Sequence, residues 1–318
     1  LALYTDRPHA WDAWDIDPGY EASGRVLSDV CEQFEVVEEG PLRVRLRTER
    51  ALGERSRIAQ EFVLDAGSPR LDIRSEVDWR EDHTLLRALF PADVRATEAT
   101  YAVQFGHVRR PTHRNRDADA AMFENCAHGW VDVSEPGLGV ALLDDCKYGR
   151  SCDEHTLGIT LLRAPTHPEP KADRGEHAFT YSLMPHEGNW RSAGVDREAA
   201  CLNAPLRATI PASEQDGPAG AEWAPVELIY PDDSSETARA QVVAIKRAED
   251  SDRLIVRLVE QHGGRGEVAL RWGRDVAAVR PVDALEHPIE DDRVGLEDGV
   301  TLLRLAPFEI VTLEVELA

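Results

Sequence analysis

Short stretches in which apolar and polar residues alternate recur along the whole chain. In residues 42–49, LRVRLRTE, apolar and polar side chains largely alternate, and residues 56–79 repeat the pattern on both sides of a DAGSPR turn. Because successive side chains of a strand point to opposite faces, a period of two is typical of a sheet with one face in water. The stretch VSEPGLGVAL at 133–142 predicts a hairpin with Pro136 and Gly137 at its tip. The chain is predicted to be all-β.

Helical periodicity is scarce. Residues 196–205, DREAACLNAP, are the main candidate. They predict either a short helix that Pro205 ends or a loop followed by a strand, and the sequence leaves both open.

Two stretches of different composition divide the chain. Residues 211–225 and 230–238 are rich in Pro, Gly, Ser and acidic side chains, which is typical of connecting segments. More alternating stretches follow, enough for a small sandwich. The predicted organisation is a large β-sandwich over residues 1–210, a linker over 211–239 and a small terminal β-sandwich over 240–318.

The charge of the chain excludes some partners. Lys and Arg number 36 against 59 Asp and Glu, a formal net charge of −23. Phosphate backbones and anionic lipids would be repelled, so we expect neither nucleic acid nor a membrane as a partner. No apolar run approaches the roughly 20 residues of a membrane helix, and no signal peptide is visible. Five unpatterned cysteines do not resemble a secreted disulfide framework, which favours a cytoplasmic location.

Polar residues are dense in two segments, 104–135 and 142–155, between predicted strands. Loops of this kind usually carry the binding functions of a β-sandwich. We expect no metal site, because the available ligands do not show the close paired spacing of zinc sites. Those ligands are Cys126, His128, Cys146, Cys152 and His155.

The adjacent carboxylates of Asp144 and Asp145 do not suit glycoside hydrolysis. That reaction needs two carboxyls about 5–9 Å apart across the scissile bond. Neighbours at the end of a strand point to opposite faces and cannot both flank one bond. Glu124 could pair with either aspartate, but no spacing in the sequence fixes that distance. No catalytic residue is therefore predicted.

The stretch WDAWDIDPGY at residues 11–20 places Trp11 and Trp14 among aspartates. Indoles can stack on the apolar faces of a pyranose while carboxylates bind its hydroxyls. Tryptophan is also heavily buried on average, so a core or interdomain contact is the more frequent role.

Several of these stretches resemble the carboxy-terminal part of the family 38 α-mannosidases, in particular the cytosolic and bacterial branch. The resemblance runs nearly from end to end. It is carried by residues 4–17, 104–115, 123–149, 161–188, 202–206, 244–250 and 306–317.

The resemblance implies a retaining exo-α-mannosidase in which zinc and an aspartate nucleophile lie in an amino-terminal domain that a three-helix bundle follows. This sequence matches neither part, so no nucleophile or zinc ligand is assigned to it. Zinc is expected in the missing catalytic domain and no cofactor in this chain. The fold implied is a galactose-mutarotase-like β-supersandwich followed by a small β-sandwich, and the dense start of the chain would mark where the front half of the enzyme is missing.

Two loops, residues 144–151 and 172–177, are the candidates for contact with an α-mannoside. Their side chains offer both donors and acceptors to sugar hydroxyls. Most are expected to contact the catalytic domain and helical bundle, with Arg150 and Arg174 reaching the cleft. The candidates are Asp144, Asp145, Lys147, Tyr148, Arg150, Asp173 and Arg174.

Two other functions remain open. A sugar epimerase would need a histidine acid and a carboxylate base in one cleft, drawn from His107, His128 and His186 with Glu124 or Glu187. A carbohydrate-binding module would expose a row of tryptophans on one face. The enzyme-fragment interpretation instead predicts an exposed apolar patch where the missing domains dock.

Overall fold

The computed structural model describes residues 1–28, 31–208, 223–231 and 237–318. Strands dominate the regular structure, so the all-β prediction is confirmed. The described residues form two compact units, one of residues 1–103 and 108–206, the other of residues 104–107 and those after 206.

Two antiparallel sheets build the first part of the chain. Among the described residues its strands are β1 (Ala2–Thr5), β2 (Arg25–Val26), β3 (Gln33–Glu39), β4 (Arg43–Leu52), β5 (Ser56–Asp65), β6 (Leu71–Trp79), β7 (Thr84–Pro91), β8 (Glu98–Val103), β9 (Gly106–Pro111), β10 (Asn125–Cys126), β11 (Trp130–Glu135), β12 (Leu138–Asp144), β13 (Gly149–Asp153), β14 (Thr156–Leu162) and β15 (Gly175–His186). Six strands pair in the order β10-β13-β14-β7-β1-β2, and nine in the order β3-β4-β5-β6-β15-β12-β11-β8-β9.

The core lies between these two sheets. In β6, Val77 and Trp79 are buried, whereas Arg74 and Glu76 on the opposite face are exposed. Leu157 of the six-stranded sheet belongs to the same buried cluster. Full burial of one such side chain contributes about 1.5–3 kcal/mol. The apolar residues of the alternating stretch thus face the core, and its charged residues face the solvent.

The predicted hairpin is present between β11 and β12. Glu135 pairs with Leu138, which leaves Pro136 and Gly137 at the tip. The φ of Gly137 is +95°, a left-handed conformation that favours glycine. The turn chemistry read from the sequence is confirmed.

The helical alternative for residues 196–205 is also confirmed. Among the described residues the helices are a 3₁₀ turn (Tyr20–Ser23), α1 (Asp117–Ala120), α2 (Trp190–Ala193) and α3 (Val195–Asn203). Trp190 of α2 and Val195 of α3 pack on Leu143 and Met184, which project from the outer face of the nine-stranded sheet. These short helices cover an apolar patch that would otherwise face water.

The second unit is a small sandwich. Its described strands are β16 (Val226–Ile229), β17 (Ala240–Arg247), β18 (Leu254–Glu260), β19 (Gly266–Trp272), β20 (Val276–Val282), β21 (Val294–Glu297), β22 (Val300–Leu305) and β23 (Ile310–Leu317). One sheet has the order β16-β19-β22-β21 and the other β17-β18-β23-β20. Leu270 and Leu303 of the first sheet and Leu258 and Leu313 of the second form its buried centre.

One part of the predicted linker is a strand. Val226–Ile229 pairs with β19, and Val226 and Leu228 pack on the small core. These four residues, VELI, lie between the two stretches of linker composition, and their pairing with β19 makes them part of the small sandwich. Residues 211–222 and 232–236 of that linker lie outside the described residues.

No helix in the described ranges is long and apolar enough to cross a lipid bilayer.

Candidate functional site

Three connecting segments meet at one end of the large sandwich. Thr5 at the end of β1 pairs with Thr84 at the start of β7. In the other sheet, Trp79 at the end of β6 pairs with Gly175 at the start of β15. Because residues 80–83 join β6 to β7, the same end of both sheets carries the segments after β1, after β6 and after β14.

The segment after β1 presents two indoles to solvent. Trp11 is 72% exposed and Trp14 is 87% exposed, and their ring centroids are 6.3 Å apart. The carbonyl of Trp11 accepts from the backbone N–H groups of Trp14, at 2.7 Å, and Asp15, at 2.9 Å. We call residues 11–15 the tryptophan platform. Its exposure excludes a place in the core of this chain and leaves sugar stacking and contact with another domain open.

Arg163, just beyond β14, ties the tryptophan platform to the sandwich. Its Nε donates to the buried carboxylate of Asp6 at 2.8 Å, and its Nη2 donates to the same oxygen at 2.5 Å. The Nη2 group also donates to the carbonyls of Asp12, at 3.1 Å, and Asp15. One guanidinium therefore fixes both the base and the tip of the loop.

Asp12 forms the second tie. Its Oδ2 accepts from the backbone N–H groups of Thr166, at 2.7 Å, and His167, at 3.1 Å. Its Oδ1 lies 3.6 Å from Nδ1 of His83. Burial alone would raise the pKa of Asp12, but the Thr166 N–H and the nearby His83 hold it below its usual value.

A buried ion pair joins the end of β12 to β13. Arg150 is 0% exposed, and its Nη2 contacts the carboxylate of Asp144, which is 1% exposed. Asp145 is exposed, and its carboxylate accepts from the N–H of Thr180 at 2.9 Å. The two aspartates thus have different surroundings, as strand geometry predicts. In this chain Arg150 is enclosed and does not project toward a cleft. A buried guanidinium needs a carboxylate partner, and Asp144 provides it.

Lys147 and Tyr148 lie nearer the surface. The Nζ of Lys147 lies 4.1 Å from the ring centroid of Phe179, and burial lowers the pKa of this amine. The nearby acidic groups of Cys146, Asp145 and Asp173 oppose this lowering of the pKa. The ring of Tyr148 is about half exposed and lies 5.7 Å from that of His128. The first predicted loop therefore packs on β15, the strand that follows the second.

Arg174 is held by an ion pair of its own. Its Nε donates to the carboxylate of Asp82 at 3.0 Å, and Nη2 of Arg55 donates to the same group at 3.0 Å. Hydrogen bonds from Arg174 and Arg55 lower the pKa of Asp82 to about 2. Arg174 is three-quarters shielded but stays at the surface. A role of the seven candidates in substrate contact stays a prediction.

The three histidines proposed for epimerase chemistry have separate partners. The Nδ1 of His107 lies 3.2 Å from the carbonyl of Gln261, and His128 lies against Tyr148. The Nε2 of His186 lies 2.6 Å from a carboxylate oxygen of buried Asp132.

Glu124, proposed as the carboxylate base, has other contacts. Its carboxylate accepts from the hydroxyl of Thr160 and lies 3.3 Å from Nη2 of buried Arg87. Glu187 contacts His186 Nδ1 through its carbonyl, at 3.3 Å. The contacts of Glu124 therefore do not supply the acid and base pair that epimerase chemistry needs.

Sequence reasoning missed the ties made by Arg163 and Arg87. Asp6 and Arg163 are 157 residues apart, and no local pattern links them. Arg87 had a signal, since it interrupts the otherwise apolar stretch TLLRALFP of β7. A charge at a position where its neighbours are buried predicts a buried partner.

Across the described part of the chain, no group of three or more His, Cys, Asp or Glu side chains is arranged to hold a metal ion.

Family models match both units of the chain. Residues 1–171 match the glycosyl hydrolases family 38 C-terminal domain, and residues 239–313 match the glycosyl hydrolases family 38 C-terminal beta sandwich domain.

Curated relatives match over nearly the whole chain. Alpha-mannosidase 2C1 of Homo sapiens is 40% identical over 317 residues, which cover 98% of this chain and 29% of that protein. Alpha-mannosidase of Saccharomyces cerevisiae is 28% identical over 98% of this chain and 30% of its own length. The chain thus spans less than a third of the length of these relatives.

A solved structure has a similar fold. An alpha-mannosidase from Enterococcus faecalis V583 superposes with a TM-score of 0.71 at 17% identity, over 92% of this chain and 36% of that one.

The buried ion pair gives a first prediction. Asp144→Asn leaves the Arg150 guanidinium buried without its counter-charge, so we expect the free energy of unfolding to fall by about 3–5 kcal/mol. Asp145→Asn, a change at the exposed neighbour, should cost less than about 1 kcal/mol. Urea denaturation followed by tryptophan fluorescence measures both. Equal effects would show that the burial of Asp144 does not matter.

Asp82 gives a prediction of pH dependence. Its folded pKa, about 2, lies below the unfolded value near ~3.9, so its contribution to stability is complete above that value and is lost as the pH falls toward 2. The melting temperature of Asp82→Asn should therefore lie below that of the unmodified chain above pH ~4, and the gap should narrow in acid. The double change Arg55→Ala with Arg174→Ala should remove the same pH-dependent component. A gap that stays constant with pH contradicts the assignment.

Proposed function

The chain belongs to glycosyl hydrolase family 38, and from this premise we propose that it is the non-catalytic C-terminal part of a retaining exo-α-mannosidase. The complete protein would hydrolyse terminal α-D-mannosides. The chain would pack on the catalytic domain and helical bundle and complete the sugar cleft.

The packing of the loop after β12 on β15, the strand that follows the second predicted loop, carries this proposal. The Nζ of Lys147 lies 4.1 Å from the ring centroid of Phe179 in β15, and Tyr148 and Asp173 are exposed. An ammonium group donates to sugar hydroxyls, whereas a carboxylate accepts from them. Contacts of this kind hold a sugar ring in a fixed orientation for attack by groups elsewhere.

The cutting chemistry itself is assigned to the part of the protein outside this chain. The retaining reaction needs two carboxyls about 5–5.5 Å apart. Asp144 is committed to Arg150, while Asp145 is exposed and bound to Thr180. The described residues do not supply a metal-binding group, so zinc is proposed to be held by the catalytic domain.

A cytoplasmic location is part of the proposal. All five cysteines are unpaired, and exposed Cys126, Cys146 and Cys201 would be open to oxidation in a secreted protein. Free thiols suit a reducing compartment.

A carbohydrate-binding module is a second candidate, favoured by the exposure of Trp11 and Trp14. Exposed indoles are the groups on which such modules stack sugars. This candidate needs mannose to bind to the chain by itself.

The proposal predicts where activity resides. The 318-residue chain should not hydrolyse an aryl α-mannoside, with or without added zinc, whereas the complete protein should. Release of the chromophore measures this, and a chelator-treated sample of the complete protein serves as control. Turnover by the isolated chain that survives rigorous purification would contradict the proposal.

The cleft role predicts a specific kinetic change. In the complete protein, Lys147→Ala should raise KM roughly tenfold, because a charged hydrogen bond to a hydroxyl contributes about 1.5–3 kcal/mol to binding. The kcat should change little if the contact is equally strong in the bound and transition states. Lys171→Ala, at an exposed lysine three residues before Arg174, is the matched control. If both variants behave alike, Lys147 does not contact substrate.

A further inference from the structure

We propose that the tryptophan platform is the contact through which this chain docks on the catalytic region of the α-mannosidase, with Trp11 and Trp14 entering an apolar recess of that region. The inference rests on the proposed function and specifies the surface that it requires. The partner is one part of the same polypeptide, not a separate protein.

The exposure of the indoles is the first observation. Trp11 and Trp14 are largely in solvent, whereas Trp79, Trp130 and Trp190 of the same unit are buried. Large exposed aromatics at the tip of a loop mark interaction sites, and tryptophan is the residue most enriched among residues that dominate binding.

The rigidity of the platform is the second observation. Asp6 and Arg163 form a largely buried ion pair whose guanidinium also binds the loop carbonyls. Trp11 is held at a φ of +59°, a conformation that costs energy in a residue other than glycine. A loop ordered in advance loses less conformational entropy when it binds, so this strain is consistent with a binding role.

The polar groups around the indoles favour a protein partner over a sugar. Recognition of a sugar needs donors and acceptors beside the ring that are open to its hydroxyls. Here Oδ2 of Asp12 already accepts from Thr166 and His167, and the carbonyls of Asp12 and Asp15 accept from Arg163. What the platform offers outward is the two indole rings, which suit an apolar recess, and the carboxylate of Asp15.

The negative charge of this chain indicates which side chains should surround that recess. Asp15 is exposed beside Trp14, and the whole chain carries a formal charge of −23. Basic side chains around the recess would complement this surface and orient the approach.

The length of the relatives leaves room for the proposed occupant. The match covers 29% of the human α-mannosidase, and residues 1–171 with the platform lie in the family's C-terminal domain. Most of that relative therefore lies outside the match, and it is large enough to cover the platform.

Oxidative footprinting tests the inference. Hydroxyl radicals label exposed indoles, and mass spectrometry gives the rate for each tryptophan. Trp11 and Trp14 should react rapidly in the isolated chain and at least several-fold more slowly in the complete protein, near the rate of Trp79, which is buried in both samples. Unchanged rates at Trp11 and Trp14 would overturn the proposal. Protection of the isolated chain by millimolar mannose would overturn it in favour of sugar stacking.

The same samples separate this inference from the proposed function. Hydrolysis of an aryl α-mannoside by the complete protein without protection of the indoles would leave the proposed function standing and remove the docking role. Protection of the indoles without hydrolysis of the aryl α-mannoside would support the docking role and contradict the proposed function.

Substitution adds a second readout. Trp11→Ala with Trp14→Ala should leave the melting temperature of the isolated chain nearly unchanged, because both side chains are exposed there. In the complete protein the double variant should be cleaved several-fold faster by a protease at residues next to the tryptophan platform, which docking would otherwise cover. Trp223→Ala, at an exposed tryptophan of the small sandwich, is the matched control. Equal cleavage of the two variants would contradict docking through the platform.

Discussion

The ion pair between Asp6 and Arg163 fixes the conformation of the loop that lies at one end of the large sandwich. It joins the segment after β1 to the segment after β14, and it is largely shielded from water. Removing one member of such a pair leaves an uncompensated charge in a poorly solvated place, which costs far more than an exposed pair contributes. Since the same guanidinium binds loop carbonyls, the shape of the tryptophan platform depends on this contact. Arg150 with Asp144 and Arg87 with Glu124 act similarly within the sandwich.

Those pairs also divide the polar residues of the chain into two groups. Arg150, the side chain most strongly expected to reach a sugar, is enclosed, and its chemistry is committed to Asp144. Lys147, Tyr148 and Asp173 remain at or near the surface, and they are the groups for which a cleft role is proposed. Membership of family 38 explains how one chain can combine many polar loops with no described metal site, since the catalytic chemistry is proposed to lie in another part of the protein.

The sequence predicted the features that depend on neighbouring residues. The period of two in β6 and the Pro-Gly tip between β11 and β12 reflect local rules of strands and turns. It could not predict contacts set by the tertiary fold. Arg150 lies in β13, in a polar segment whose composition favours solvent, and the Asp6–Arg163 pair spans 157 residues. The strand Val226–Ile229, between two stretches of linker composition, joins the small sandwich because it pairs with β19.

The distance along the chain between Asp6 and Arg163 has a consequence for biosynthesis. Ribosomes add roughly 5–20 residues per second, so the guanidinium emerges roughly 8–30 s after the carboxylate it will bind. During that interval Trp11 and Trp14 have been synthesised, but Arg163, whose guanidinium binds the carbonyls of their loop, has not. The final conformation of the tryptophan platform would therefore wait until β14 and Arg163 had left the exit tunnel.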